Sequence, residues 1–341
     1  MRYLVTGATG FIGSRLVPRL VARGHAVTVL VRDAHRYVPQ AGVISVVEGD
    51  LATGSGLEQA VRDADRVIHL AGVVAAARRG GYAAVNAEGT RRLCAAAAAA
   101  PRPPRLVYCS SLAATGPSAP GRPRAETDPP APVSAYGASK LAGEQALRVF
   151  ADRVPGVVLR PPIVYGPGDR AFLPTLVAMV RSGLLPVCGR GPRHYSLIHV
   201  DDLCTALLAS AEKGPTLAAR SPACQGVYHL GDGAEHDLRD IAAVVAGTLG
   251  RRQPRPVRVP AAVATGAAWV SEAVAAAGGR TSFFNRDKVR EARHASWTCT
   301  TERAARHLGF TATVPIREGL RLALTTPHDQ PLHDVRREPT V

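Results

Sequence analysis

The chain has 341 residues, 46% hydrophobic and 20% charged, which is the composition of an ordinary globular protein with room for two lobes. No run approaches the roughly 18 apolar residues of a membrane span, and the opening MRYLVTGATG enters a strand directly, so neither a membrane protein nor a secretory leader is expected. The formal charge of +15 invites a nucleic-acid partner, but the basic residues are mostly scattered arginines without a clustered patch or reader motif, so a generally basic surface is expected instead.

The first third repeats one unit. YLVTG is a short apolar run followed by a glycine turn and a helical pattern from Gly13 to Arg23, which Gly24 stops. AVTVLV is the second strand; VISVVEGD, a short helix near Leu57–Arg62 and RVIHLAG continue the alternation. RLVYCSS and GVVLRPP are two more strands, each preceded by a helix. Near-continuous apolar strands alternating with helices predict a parallel sheet buried on both faces, a doubly wound α/β domain.

After Gly166 the rhythm changes. Helices are expected over Phe172–Arg181, Asp202–Glu212, Asp237–Leu249 and Ala261–Ala277, with FNRDKVREAR opening another and GVYHLGD as one short strand. The expected organisation is a dinucleotide-binding domain over 1–166 with 196–232 returning to it. A smaller lobe over 167–195 and 233–326 closes over the strand ends, and 327–341 forms a loose polar tail. The six cysteines show no C-x-x-C pair and no zinc-like spacing, so they read as small core residues in a reducing cytoplasm, and no metal is expected.

Two patterns carry chemistry. Thr6-Gly7-Ala8-Thr9-Gly10-Phe11-Ile12-Gly13 is a G-x-x-G-x-x-G run between the first strand and the first helix. Glycines there permit a tight turn and let backbone N–H groups approach a pyrophosphate at the positive end of the helix. The second strand should end near the adenosine ribose, where an acid suits NAD and an arginine suits the 2′-phosphate of NADP. The chain has Val31-Arg32-Asp33, so Arg32 favours NADP(H) over NAD(H), although a register slip of two would restore an acid at Asp33. Asp50-Leu51 follows a strand; it suits either the adenine amino group or an ordinary turn.

The second pattern is Tyr136-Gly137-Ala138-Ser139-Lys140. Residues four apart share one helix face, and a lysine cation near a phenol should lower its pKa and ready it for proton exchange. Ser110-Ser111 end the preceding strand, where ligands of open α/β sheets gather.

In this order, TGATGFIG, VIHLAG, VNAEGT, SSLAATG, YGASK, LRPPIVYGPGD and HVDDL resemble the extended short-chain dehydrogenase/reductase superfamily of the NAD(P)-dependent epimerase/dehydratase type, over residues 1 to about 320. In character the chain is most similar to ketoreductase and hydroxysteroid-dehydrogenase-like members. The resemblance implies a Rossmann domain with a C-terminal substrate-binding lobe, and a triad of Ser111, Tyr136 and Lys140, with Lys140 also bonding the nicotinamide ribose. It implies a pyrophosphate cradle at Gly7, Thr9, Gly10, Phe11, Ile12 and Gly13. Further cofactor contacts are implied at Asp50, Leu51, Leu70, Ala71 and Gly72, with Pro161 to Ile163 near the nicotinamide; Asn86 is read as architectural.

Two departures narrow the function. Dehydratases of this type carry an acidic pair after the strand-end hydroxyl, where this chain has Leu112-Ala113-Ala114. Sugar-nucleotide epimerases carry a diphosphate-gripping arginine four residues before the position of His199, where this chain has Tyr195, with Arg190 and Arg193 nearby. His199, Asp201 and Asp202 read as strand-end and helix-cap residues. The leading expectation is an NADP(H)-dependent ketoreductase or alcohol dehydrogenase acting on a moderately apolar small molecule. The rivals are a nucleotide-sugar 4-epimerase and a non-catalytic cofactor-binding subunit; the resemblance leaves room for a homodimer.

Overall fold

The computed structural model describes residues 1–37, 44–74, 81–189, 191–218, 222–278, 282 and 284–326. The expected tail from 327 and Arg190 lie outside the described residues.

Six strands in chain order, β1 (Arg2–Thr6), β2 (Ala26–Val31), β3 (Ile44–Glu48), β4 (Arg66–His69), β5 (Arg105–Cys109) and β6 (Gly156–Arg160), pair in the order β3-β2-β1-β4-β5-β6. A seventh, Val227–His229, adds to the free edge of β6, and every pairing is parallel. The order reverses between β1 and β4, which opens a crevice at the carboxyl ends of those strands.

The period of two along each strand sorts side chains onto two faces. Val5, Val29, Ile68 and Val107 pack against Leu16, Val17 and Leu20 of α1 (Phe11–Ala22). Leu4, Leu30, Val67 and Leu106 face the other way, toward α2 (Leu57–Val61), α3 (Thr90–Ala99) and α4 (Ala135–Val149). The doubly wound expectation therefore holds in topology and in burial.

Beyond β6 the chain alternates between two bodies. After α5 (Phe172–Ser182) it returns as α6 (Val200–Glu212), whose Leu203 and Leu207 join the α1 face of the sheet. It then leaves again as α7 (Leu238–Thr248), α8 (Ala261–Ala277) and α9 (Arg286–Ala292), rejoins the sheet's α1 face through Ala304 and Leu308 of α10 (Glu302–Leu308), and ends on the lobe as α11 (Ile316–Thr325). The lobe's own core joins Leu173, Leu176 and Val180 of α5 to Ile241 and Val245 of α7 and Leu320 of α11. A ribbon of Leu184–Cys188 with Arg255–Val259, and a sheet in which His194–Tyr195 lies between His236–Asp237 and Ser296–Trp297, complete it. These short strands, and α10 and α11, were not among the expected elements. Among the described residues no helix is long and apolar enough to cross a membrane.

Candidate active site

The glycine turn is built by close approach. Gly7 has φ +75°, and a Cβ there would stand 2.6 Å from the Ala71 backbone nitrogen, so only glycine lets the turn pass against the end of β4. A Cβ on Gly13 would collide with the Gly7 carbonyl, so α1 also sits tightly on the turn. α1 opens on Gly10 with no side-chain cap and no acid in its first turn. Its first N–H groups and its dipole therefore suit an anion. Gly7, Gly10, Phe11, Ile12 and Gly13 line a cavity of about 690 Å³ together with Leu70 and Gly72. Thr9 is exposed, and Ala71 donates its N–H to Thr6 Oγ1 at 3.2 Å; neither lines that cavity.

Arg32 is exposed at the end of β2. Asp33, its rival for the ribose, caps the short turn Ala34–Arg36 by accepting the His35 N–H at 3.1 Å. Asp50 likewise accepts the Ala52 N–H at 2.8 Å, and Leu51 is buried beside α3. Arg32, Asp50 and Leu51 lie outside the cavity lining.

The cavity does bring together Ser111, Tyr136, Lys140, Pro161 and Ile163. Ser111 ends the strand-to-turn step after β5, accepting the Ala113 N–H at 3.2 Å, and lines the same cavity as Tyr136, whose phenol pKa it lowers. α4 starts at the Ser134 cap, which accepts the Gly137 N–H at 3.0 Å and puts Tyr136 in the first turn. One turn on, Lys140 is 4% exposed; its Nζ donates to the Cys109 carbonyl at 2.7 Å and lies 4.4 Å from the Tyr108 ring centre.

The electrostatics correct one expectation. Burial pushes the Tyr136 phenol well above its ordinary value, outweighing both the lowering by Ser111 and the lowering expected from Lys140. The same burial pulls Lys140 down to about 8, partly offset by Cys109 and Glu144.

Asn86 is architectural: its amide accepts the Val73 N–H at 2.8 Å and donates to Ser139 Oγ at 2.9 Å, tying the loop after β4 to α4. The cap of α6 is His199, which accepts the Asp201 N–H at 3.3 Å. Asp201 instead pairs with Arg15 and Arg19 of α1 at 3.1 and 2.8 Å, and Asp202 accepts from Thr313 and Val314. Tyr195 lines the cavity, whereas Arg193 is 4% exposed, does not line it, and reaches the Arg293 carbonyl at 3.5 Å.

Sequence reasoning missed two groups. Glu144, one turn beyond Lys140, accepts from Arg160 at 2.9 and 2.6 Å and from Ser110 at 2.5 Å, all buried. The repeat Tyr136, Lys140, Glu144 at spacing four was its available signal. Lys288 and Glu291 of α9 also line the cavity, and nothing local to FNRDKVREAR announces that.

Residues 3–222 match the model of the NAD dependent epimerase/dehydratase family. The chain is 33% identical to a ceramide reductase of Caulobacter vibrioides over 322 residues, covering 91% of this chain and 92% of that one. It is 32% identical to a 4-hydroxy-2-methyl-3-oxo-4-farnesyl-3,4-dihydroquinoline-1-oxide ketoreductase of Stigmatella aurantiaca, covering 73% and 74%. Its fold is similar to that of MoeE5 in complex with UDP-glucose and NAD, with TM-score 0.73, 28% identity, and 95% and 97% of the two chains covered. The chain belongs to the NAD dependent epimerase/dehydratase family, and is an NAD(P)-dependent oxidoreductase of the extended short-chain dehydrogenase/reductase superfamily.

Proposed function

We propose that the chain is an NADP(H)-dependent ketoreductase or alcohol dehydrogenase acting on a moderately apolar small molecule, with Ser111, Tyr136 and Lys140 as its catalytic groups. The observation that carries this reading is that Ser111, Tyr136 and Lys140 line one cavity whose walls include Val74, Leu112, Ala113, Phe172 and Trp297. Gly7, Gly10 and Gly13 would hold the pyrophosphate, a role their lack of a Cβ fits. Leu70, Gly72, Asp50 and Leu51 would serve the adenosine side, and Pro161 and Ile163 the nicotinamide. Lys140 Nζ, 3.6 Å from where a Gly72 Cβ would stand, would bond the nicotinamide ribose. Arg32 would meet the 2′-phosphate, supported by the commitment of Asp33 to its own turn.

Bound in this site, the dinucleotide supplies the hydride. Ser111 orients the substrate carbonyl oxygen, and Tyr136 donates the proton to it as negative charge develops. The two reductase relatives are named for apolar compounds, which supports an apolar substrate here.

A nucleotide-sugar 4-epimerase is the second reading, favoured by the UDP-glucose complex of MoeE5. Tyr195 at the grip position and the absence of Arg193 from the cavity lining weigh against it. NADPH oxidation measured against a panel of ketones and UDP- and dTDP-sugars tests the proposal. Stoichiometric oxidation with ketones supports it. Sugar interconversion without net oxidation overturns it in favour of the epimerase, and silence with tight cofactor binding overturns it in favour of a non-catalytic subunit.

A further inference from the structure

The lobe reaches the site through α9. Lys288 Nζ lies 5.3 Å from the centre of the Tyr136 ring and 2.8 Å from Glu291 Oε2, with the two side chains 31% and 15% exposed. Both line the cavity, beside Ala292 and Trp297. This wall is braced from several directions. Ser134, the cap of α4, donates its hydroxyl to Glu291 Oε1 at 2.8 Å, and Asp287 accepts the Tyr136 N–H at 3.0 Å. Asn285 caps α9 by accepting the Lys288 N–H at 2.9 Å, and Trp297 Nε1 donates to the Glu291 carbonyl at 3.1 Å. The ammonium is therefore held beside Tyr136 by a built network rather than left on a mobile stem. Two other cations line the cavity: Lys140, directed at the Cys109 carbonyl, and the exposed Arg170.

We infer that Lys288 recognises a second oxygen on the substrate, a neutral carbonyl β to the ketone, as in a 3-oxoacyl ester, thioester or amide. This deepens the ketoreductase reading and rests on it for the placement of the ketone. In a 1,3-dicarbonyl compound the two oxygens sit on carbons separated by one atom. With one oxygen at Ser111 and Tyr136, the other would be directed toward the ammonium, whose Nζ lies 5.3 Å from the centre of the same ring. Glu291 decides between acceptors: its charge already balances Lys288, so a free carboxylate would meet a like charge, while a neutral carbonyl accepts from the ammonium without that penalty. The surrounding Val74, Leu112 and Phe172 suit an acyl chain rather than a second charged group.

The test uses the NADPH-loaded protein and three substrates of equal length: a 3-oxoacyl N-alkyl amide, the matching monoketone and the free 3-oxo acid. Wild type, Lys288→Met and Lys288→Arg are compared after circular dichroism has shown that the variants fold. A hydrogen bond to a charged donor predicts a kcat/KM for the amide about 10- to 100-fold above the monoketone, mostly through KM. That ratio should fall to near one in Lys288→Met and recover in part in Lys288→Arg, with the free acid gaining less than the amide. Equal kcat/KM for amide and monoketone in the wild type overturns the inference, as does a preference that survives Lys288→Met or a free acid that outranks the amide. A second arm separates this result from the ketoreductase reading: binding of the matching 3-hydroxyacyl amide, followed by tryptophan fluorescence. Binding that Lys288→Met weakens, with no ketone reduced, would overturn the ketoreductase reading and support recognition by Lys288. Absence of both turnover and Lys288-dependent binding overturns both.

Discussion

The two halves of the cavity are held together by different means. On the sheet side, the site stands on seven parallel strands and on a buried network in which Glu144 receives Arg160 and Ser110 beneath Lys140. On the lobe side, α9 is a seven-residue helix, and among the described residues its neighbour α8 buries Ala264 and Ala268 and leaves Trp269 60% and Val274 69% exposed. The lobe's corresponding ion pair, Glu272 with Arg286, is 28% and 53% exposed. The sheet half thus has the rigidity that proton and hydride chemistry require. The lobe half is more exposed around α8, while α9 is tied to α4 through Glu291 and Asp287.

Four substitutions measure this contrast. Glu144→Ala leaves Arg160 charged and buried without its partner, and should cost about 3–5 kcal/mol of stability in urea unfolding. A cost near zero would show that the network is not what holds the sheet side. Tyr136→Phe removes the proton donor and keeps the ring, so turnover should fall by about 100-fold or more while NADPH binding, followed by fluorescence, persists; near-normal turnover would remove Tyr136 from the mechanism. Arg32 lies at the sheet's far rim, where NADPH should bind about 10- to 100-fold more tightly than NADH, since a charge-assisted contact is worth roughly 1.5–3 kcal/mol. Arg32→Ala should abolish most of that preference and leave NADH affinity nearly unchanged; a wild type that prefers NADH would hand the ribose to Asp33. Glu272→Ala in the lobe should change stability by less than about 1 kcal/mol. A loss equal to that of Glu144→Ala would erase the distinction between the halves.

The same contrast explains what could be read in advance. The glycine turn and Tyr136-x-x-x-Lys140 are local: their spacing alone fixes a turn and a shared helix face, so both were legible before any tertiary contact was known. Glu144 was half legible, since its spacing from Lys140 shows the face, but Arg160 reads only as the end of an apolar strand. The lobe was largely illegible. Its strands run from two to five residues and pair across long stretches of chain, as His194–Tyr195 does with Ser296–Trp297. The Asp287 carboxylate meets the Tyr136 N–H from 151 residues away, a distance over which no periodicity reports. Burial also reversed the sign expected for Tyr136, because sequence shows a neighbouring charge but not the loss of water around it.

The late return of α6 to the sheet bears on the order of events during synthesis. α1 emerges first, yet the partner of its outer face comes from Leu203 and Leu207, and the acid that pairs with Arg15 and Arg19 is Asp201. The strand that covers the edge of β6 comes later still, at Val227–His229. A nascent chain that has just completed β6 therefore holds all six glycine-loop-side strands and cannot yet close them. Until roughly another seventy residues leave the ribosome, at synthesis rates of about 5–20 residues per second, it carries a bare apolar helix face and an open strand edge for several seconds. The proposed dinucleotide site, whose residues run from Gly7 to Ile163, is thus complete in sequence before the elements that cover its sheet are made.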